Sequence, residues 1–438
     1  MTPPVCTHTA ARERLEDGDP EGALRVAGPM LEDDPGDVRA WRLAALATLE
    51  LGEERTAFKN LKSVAIALAE QRNPIHAIAQ TLELAERGQD ADQVLEKIAA
   101  LYGADSERLE DLELDPPPLP TGAPVEPWGD DLDRDAVLGR AADAMAVAWG
   151  AALTGGEEAG PLPYIPLLSS LAADDLVELL GHLERVTFLP DEPIVEQGEP
   201  GDAMFVVADG SVAVSRSSGA GDEVLLARLG PGAFFGEMSL VSSAPRAAAV
   251  RAVDRATLLR AGREEMERLA EKVPRVGDVL IAFCHARMLE NLMRVSPVLA
   301  PVPPADRPEV IARFDTGYRR AGEVIISEGQ EGPGLFLVVS GRVSVFRREE
   351  EDDVLLARLG PGDLFGEISL LMRKPSTATV VATENTALLV LARDDFNEVT
   401  RDFPQLLKGA YDIAVEREMQ NNSILATAAE DADDLVLV

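Results

Sequence analysis

Apolar residues in roughly the first 110 positions recur at spacings of three and four, as in Trp41, Ala44, Ala45, Thr48 and Leu49, with Gly or Asp-Pro between the runs. Strand-like alternation is absent, so the pattern predicts helix pairs over 1–114. Residues 115–160 break it. Pro116-Pro117-Pro118, further prolines at 120, 124 and 127, and acids up to Asp135 predict a stiff, solvated linker. One alanine-rich helix over Ala136–Leu153 follows, ended by Gly155-Gly156 and Pro161. Beyond 160 the grammar becomes all-β: short apolar runs at Met204–Val207, Val212–Val214 and Leu335–Val339, each bounded by Gly or Asp-Gly. Gly230-Pro231-Gly232 and Gly360-Pro361-Gly362 suit type II turns, which place proline second and glycine where φ is positive. Many short strands at this spacing predict jelly rolls, each followed by an amphipathic helix, the first with Val279, Ala282, Phe283, Ala286, Leu289 and Met293 on one face.

Two internal repeats organise these elements. A shift of 34 lays Leu15, Gly18, Ala23 and Leu24 on Leu49, Gly52, Ala57 and Phe58, and Trp41 on Ile75, while Gly88 follows Gly52 by 36. That period resembles the tetratricopeptide repeat over about 10–100. The resemblance implies a groove for a partner peptide or helix; the alternative is a plain helical domain packed on its neighbours. A shift of 130 repeats Val224–Gly232, VLLARLGPG, letter for letter as Val354–Gly362. It lays Phe235-Gly236-Glu237 on Phe365-Gly366-Glu367, and with one residue of adjustment Gly198 on Gly329 and Gly210 on Gly341. The fold class is therefore α+β multidomain: a helical repeat domain over 1–114, the linker with its helix over 115–160, two rolls over 161–294 and 295–423, and an acidic tail over 424–438.

Phe235-Gly236-Glu237-Met238-Ser239-Leu240, four residues, then Pro245-Arg246-Ala247-Ala248-Ala249-Val250 resembles the phosphate-binding cassette of cyclic-nucleotide-binding domains. The resemblance implies an eight-stranded β-roll flanked by helices and a cyclic nucleotide ligand. Such a ligand needs donors for a monoanionic ring phosphate and an acceptor for a ribose 2′-hydroxyl. Arg246 offers a charged planar fork for the phosphate, and the amides of Gly236–Met238 offer further donors. Glu237 is the acceptor that the resemblance assigns to the hydroxyl; Phe235, Ser239, Ala247 and Ala248 complete the expected site. In that family an alanine after the arginine goes more often with cAMP, and serine or threonine with cGMP, so Ala247 leans to cAMP.

The second copy keeps Gly366, Glu367, Ile368 and Ser369 but has Ser376, followed by Thr377, at the place of Arg246. Burying a phosphate without a cation costs several kcal/mol, so this copy is expected to bind weakly or not at all and to serve as a homodimer or relay surface. Arg373 and Lys374, two nearby loop cations, are expected to be solvated rather than to reach inward.

Composition narrows the function classes. A formal charge of −36 repels a nucleic-acid backbone. No apolar run long enough to span a bilayer and no secretory leader is evident, and two cysteines, Cys6 and Cys284, suit a reducing cytoplasm. Four scattered histidines make no metal site, and no nucleophile constellation or Walker loop points to catalysis. The expectation is a non-enzymatic, cytoplasmic, bacterial-type sensor of cAMP or cGMP that couples nucleotide binding in the first roll to a protein partner through the N-terminal repeats. The alternatives are a scaffold whose rolls are degenerate, and a transcription regulator relying on a DNA-binding partner chain.

Overall fold

The computed structural model describes residues 7–112, 125–154, 160–217, 223–241, 246, 248–295, 302–303, 306, 309–310, 313–349, 352–360 and 362–435. Pro116–Pro118 and the prolines at 120 and 124 lie outside the described residues, as does Ala247. The chain forms two compact units, one of 1–194, 205–235 and 249–279, the other of 195–204, 236–248 and 280–438.

In the first unit, α1 (His8–Glu16), α2 (Pro20–Asp33), α3 (Val38–Glu50), α4 (Glu54–Glu70), α5 (Pro74–Glu86) and α6 (Asp92–Tyr102) form successive antiparallel hairpins. Their turns explain the glycine spacing. Gly18 and Gly52 take φ of +75° and +93°, and the following amides of Asp19 and Glu53 donate back to Arg14 and Thr48. This left-handed closure ends a helix at low cost only with glycine. Asp19 and Asp37 cap the helices that follow, and Trp41, 1% exposed, is fixed by an indole N–H donated to Asn60. The alanine-rich helix is α7 (Arg134–Thr154), which packs on α2, α3 and α4. Trp128, just ahead of it, lies against Gly28 and donates to Glu32.

Short strands β1 (Leu109–Glu110) and β2 (Leu162–Pro163) pair in parallel, and α8 (Pro166–Ser169) and α9 (Ala173–Gly181) lead into the first roll. Its strands are β3 (Glu184–Phe188), β4 (Pro193–Val195), β5 (Ala203–Asp209), β6 (Val212–Ser217), β7 (Glu223–Leu229), β8 (Phe234–Phe235), β9 (Ala249–Ala252) and β10 (Ala256–Gly262). The sheet orders β3-β10-β5-β8 and β4-β9-β6-β7 are those of a jelly roll. Helix α10 (Met238–Val241) interrupts the roll, while α11 (Arg263–Lys272) and α12 (Pro274–Val295) follow it.

The second copy repeats the plan with β11 (Asp315–Arg319), β12 (Val324–Ile326), β13 (Gly334–Ser340), β14 (Val343–Glu349), β15 (Asp352–Leu359), β16 (Leu364–Phe365), α13 (Glu367–Leu371), β17 (Thr379–Ala382), β18 (Thr386–Ala392), α14 (Arg393–Asp402) and α15 (Pro404–Leu435). Its sheet orders, β11-β18-β13-β16 and β12-β17-β14-β15, match the first copy strand for strand. Both faces of β13 are buried: Leu335, Leu337 and Val339 enter one cluster, Phe336 and Val338 another. In the first copy the predicted turn forms, with Gly232 at φ of +85° and a bond from Ala233 to Gly230; in the second, Gly362 has φ of +93° and Asp363 bonds to Gly360, while Pro361 lies outside the described residues. Helix α15 takes in much of the stretch expected as an acidic tail, and residues 436–438 lie outside the described residues.

The expected apolar face of α12 is corrected. Among its described side chains the buried positions are Val276, Leu280, Phe283 and Cys284, and Val279 is half-buried, whereas Ala282 and Ala286 are exposed; the side chains of Leu289 and Met293 lie outside the described residues. Alanine satisfies a helical period without committing to a side, so the larger Leu280 sets the inward stripe.

The first unit joins α5 to β3 and β10, and His76 on α5 lies in the field of Asp209, Arg42, Arg39 and Glu83. Burial pushes its imidazole down to about 4, against the pull of Asp209. The unfolded chain therefore binds more protons between pH ~6.5 and ~4, so this group's contribution is present above that window and lost as pH falls through it. The thermal midpoint of the wild type is expected to drop across that window more steeply than that of His76→Gln.

Candidate functional site

In the first copy the backbone builds the site before any side chain does. Gly198 N–H donates to the Arg246 carbonyl at 2.9 Å, and Arg246 N–H donates to Glu199 at 2.8 Å. These bonds pin the strand of the arginine against the loop ahead of β5. Gly236 adopts φ of +77°, and a Cβ there would stand 2.6 Å from Arg246 Nη1 and 3.0 Å from the Ala203 carbonyl. Arg246 is 8% exposed. Its Nη2 donates to the Ala203 carbonyl at 2.9 Å, and its Nη1 donates to Ser239 Oγ and to the Gly236 carbonyl at 3.3 Å. Asp202, largely exposed, stands 3.6 Å from Nη2. The guanidinium is thus held in a fixed orientation by the groups around it.

Gly236 and Ser239 meet Arg246, and Glu237 lies between them in the chain. Glu237 is 6% exposed and lies near Cys284 of α12, whose thiol is pushed up to about 12 by burial first and by that carboxylate second. Phe235 stacks on Phe205, ring centroids 5.2 Å apart. Ala248 is half-buried; Met238 opens α10, and its side chain lies outside the described residues.

The second copy repeats the backbone frame bond for bond: Gly329 N–H donates to Ser376 and Ser376 N–H to Gln330, both at 2.8 Å. The chemistry inside differs. With no guanidinium to accept from, Ser369 Oγ donates to the Gly366 carbonyl at 3.0 Å. Ser376 is 7% exposed, and its Oγ has no hydrogen-bond partner among the described residues. Glu367, 2% exposed, accepts from Arg417 Nη1 of α15 at 3.1 Å, and the same nitrogen also bonds the Leu364 carbonyl. Burial pushes the Glu367 carboxyl up, and Arg417 draws it partly back. Lys374 turns to Glu418 at 2.6 Å, and Arg373 takes a left-handed φ of +50° outside the lining of the cavity. That cavity, about 290 Å³, is lined by Glu367, Ile368, Ser369, Ser376, Thr377 and Arg417 among others.

Three contributions escape a reading of the cassette alone. Gly201 and Gly332 approach so closely that an added Cβ would stand 2.0 Å and 1.9 Å from Ser239 Oγ and Ser369 Oγ. Arg417 and Cys284 arrive from helices downstream of each roll. A signal exists for the glycines and for Arg417, though not for Cys284, which falls on Ala414: the shift of 130, carried into the helices, lays Pro274 on Pro404, Arg263 on Arg393 and Arg287 on Arg417, and a shift of 131 lays Gly201 on Gly332.

Residues 185–273 and 318–403 match the family model for the cyclic nucleotide-binding domain. Both rolls are cyclic nucleotide-binding domains. The chain is 30% identical over 255 residues to a cAMP-dependent protein kinase regulatory subunit of Aspergillus fumigatus, covering 56% of this chain and 59% of that one. It is 31% identical over 243 residues to the corresponding protein of Aspergillus niger, covering 53% and 54%. The matches thus span little more than half the length of these curated relatives. Among solved structures, the regulatory domain of Toxoplasma gondii PKA with cAMP is 22% identical, with a TM-score of 0.28, over 58% of this chain and 92% of that one. The two cyclic nucleotide-binding domains follow an N-terminal helical region, and no helix among the described residues is long and apolar enough to cross a membrane.

Proposed function

We propose that the chain is a non-catalytic cytoplasmic sensor in which the first cyclic nucleotide-binding domain takes cAMP in preference to cGMP and passes its occupancy to a partner protein. The observation that carries this reading is Arg246, buried and oriented by Ala203, Gly236 and Ser239, with the buried Glu237 next to Gly236 in the chain. The ring phosphate would take the outer edge of the guanidinium and the ribose hydroxyl would donate to Glu237. Curated relatives carry the name of kinase regulatory subunits, so a protein kinase is the partner class to test first, with the N-terminal helical repeats as the surface that holds it.

A comparison of the two copies supports helix movement as the output. In the nonapeptide they share, Leu356 is 7% exposed where α15 packs on β15, whereas its counterpart Leu226 is 50% exposed and Val224 and Leu225 are 54% and 55% exposed. Identical sequence with unequal cover points to an apolar strip that a ligand-driven helix would close, burying area worth ~25 cal/mol per Å². Under cAMP, amide exchange should slow at 224–226 and across 280–295 of α12. Unchanged exchange at both segments with saturating cAMP would contradict the coupling.

A further inference from the structure

Where α1, α3 and α5 meet the end of β5, the first unit holds a cavity of about 280 Å³ to which neither cassette contributes a residue. We propose that this cavity is a site for a small phosphomonoester, its dianionic group held by Arg39 and Arg12 with the hydroxyl of Thr9. The charged and titratable groups that line it are Arg12, Arg39, Arg42, His8, His76 and one acid, Asp209. Several are already committed. Arg42 donates to Glu83 at 2.8 Å and to Gln80, and His8 Nε2 bonds Asp37 at 2.7 Å. Arg12 meets Asp209 through one nitrogen at 3.5 Å, which leaves most of its N–H donors for another oxyanion. Arg39 is half-buried and has no ion pair or side-chain hydrogen bond among the described residues.

A half-buried arginine without a carboxylate is unexpected in this chain, where acids outnumber Lys and Arg 77 to 41. Partial desolvation of the guanidinium is costly, and an incoming oxyanion offsets it through charge-assisted bonds to the planar fork. Two further features favour an anion. His76 is the third residue of α5, and Asn73 ahead of that helix makes no side-chain cap bond, so the positive end of the helix dipole adds to the guanidiniums. The His76 ring, pushed down to about 4 by burial, is neutral at pH 7 and can donate to a phosphate oxygen. The lining also selects among anions. A phosphomonoester carries about two charges at pH 7 and three terminal oxygens, which suits two guanidiniums with donors to spare better than the single charge of a diester. Val38, Leu43 and Leu68 line the same cavity, and its volume exceeds that of a phosphate group, so a short carbon chain or one sugar ring fits beside the anion.

This inference does not rest on nucleotide binding by either roll. The test titrates glycerol 3-phosphate, inorganic phosphate and a phosphoserine peptide into the full chain by calorimetry at constant ionic strength. One glycerol 3-phosphate should bind per chain, more tightly than the other two, and the Arg246→Ala chain should bind it as the wild type does. Arg39→Gln should weaken it at least about tenfold, and Arg39→Lys by less, since the charge remains and the fork is lost. Because Arg39 has no partner to lose, Arg39→Gln should keep the thermal midpoint of the ligand-free chain. Arg268→Gln removes the same charge from an exposed position on α11 and should leave binding unchanged. The inference is overturned if glycerol 3-phosphate does not saturate, if Arg39→Gln binds it as the wild type does, or if Arg268→Gln weakens it equally. Binding lost in the Arg246→Ala chain would assign the ligand to the first cassette instead, and tighter binding of inorganic phosphate or the peptide would overturn the small-ester assignment.

Discussion

Arg246→Ala should weaken cAMP binding by roughly 100-fold, because removing one partner from a desolvated charge pair costs about 2–5 kcal/mol and ~1.4 kcal/mol is a factor of ten. The loss has two parts. The ring phosphate would be left against neutral amides, and the carbonyls of Ala203 and Gly236 would lose the donors that Arg246 gives them in the free protein. The second part is a stability cost of ~1–3 kcal/mol for buried acceptors left unpaired, so affinity must be read on protein shown to be folded. Arg246→Lys separates the parts: it keeps the charge, loses the fork, and should retain an intermediate affinity. Calorimetry on the three proteins checks the order, and an Arg246→Ala chain that binds cAMP as the wild type does would remove the arginine from the site.

The second large effect is structural. Arg417→Met leaves Glu367 buried without its cation, and breaking a buried pair from one side costs about 3–5 kcal/mol. The Glu367 carboxyl is already raised by burial, and loss of Arg417 should raise it further. A carboxyl whose folded pKa lies above its unfolded value of ~4.5 stabilises fully below that value and loses the contribution as pH rises through the folded pKa. The variant should therefore be less stable at pH 7.5 than at pH 5, a slope that the wild type shows more weakly. Adding Glu367→Gln should recover most of the loss and flatten the slope. Denaturation of the four proteins at the two pH values gives the cycle, and independent effects of the two substitutions would mean that they are not coupled.

Much of this protein is legible in its residues because its information is local. The cassette places Gly236, Glu237, Ser239 and Arg246 within eleven consecutive positions, so spacing alone brings them together. The repeat at 130 is legible because VLLARLGPG has survived intact in both copies, and its last glycine takes a positive φ in each. What stayed hidden is tertiary. Arg417 reaches Glu367 from fifty residues downstream, and no spacing rule within the cassette points to it. The burial of Leu356 against the exposure of Leu226 cannot be read from identical letters, since a packed helix decides it. Helix α12 shows the limit of periodicity: Ala282 and Ala286 fit an apolar face and yet point to solvent, because small side chains gain little from burial. The docking of α7 is similar, with Trp128 finding Gly28 one hundred positions away.

Arg246 against Ser376 is the difference on which the account turns, and stoichiometry reads it directly. Titrating cAMP into the unmodified chain should give one bound nucleotide per chain, weakened roughly 100-fold by Arg246→Ala and untouched by Ser376→Ala. Two bound nucleotides per chain, or none, would contradict it.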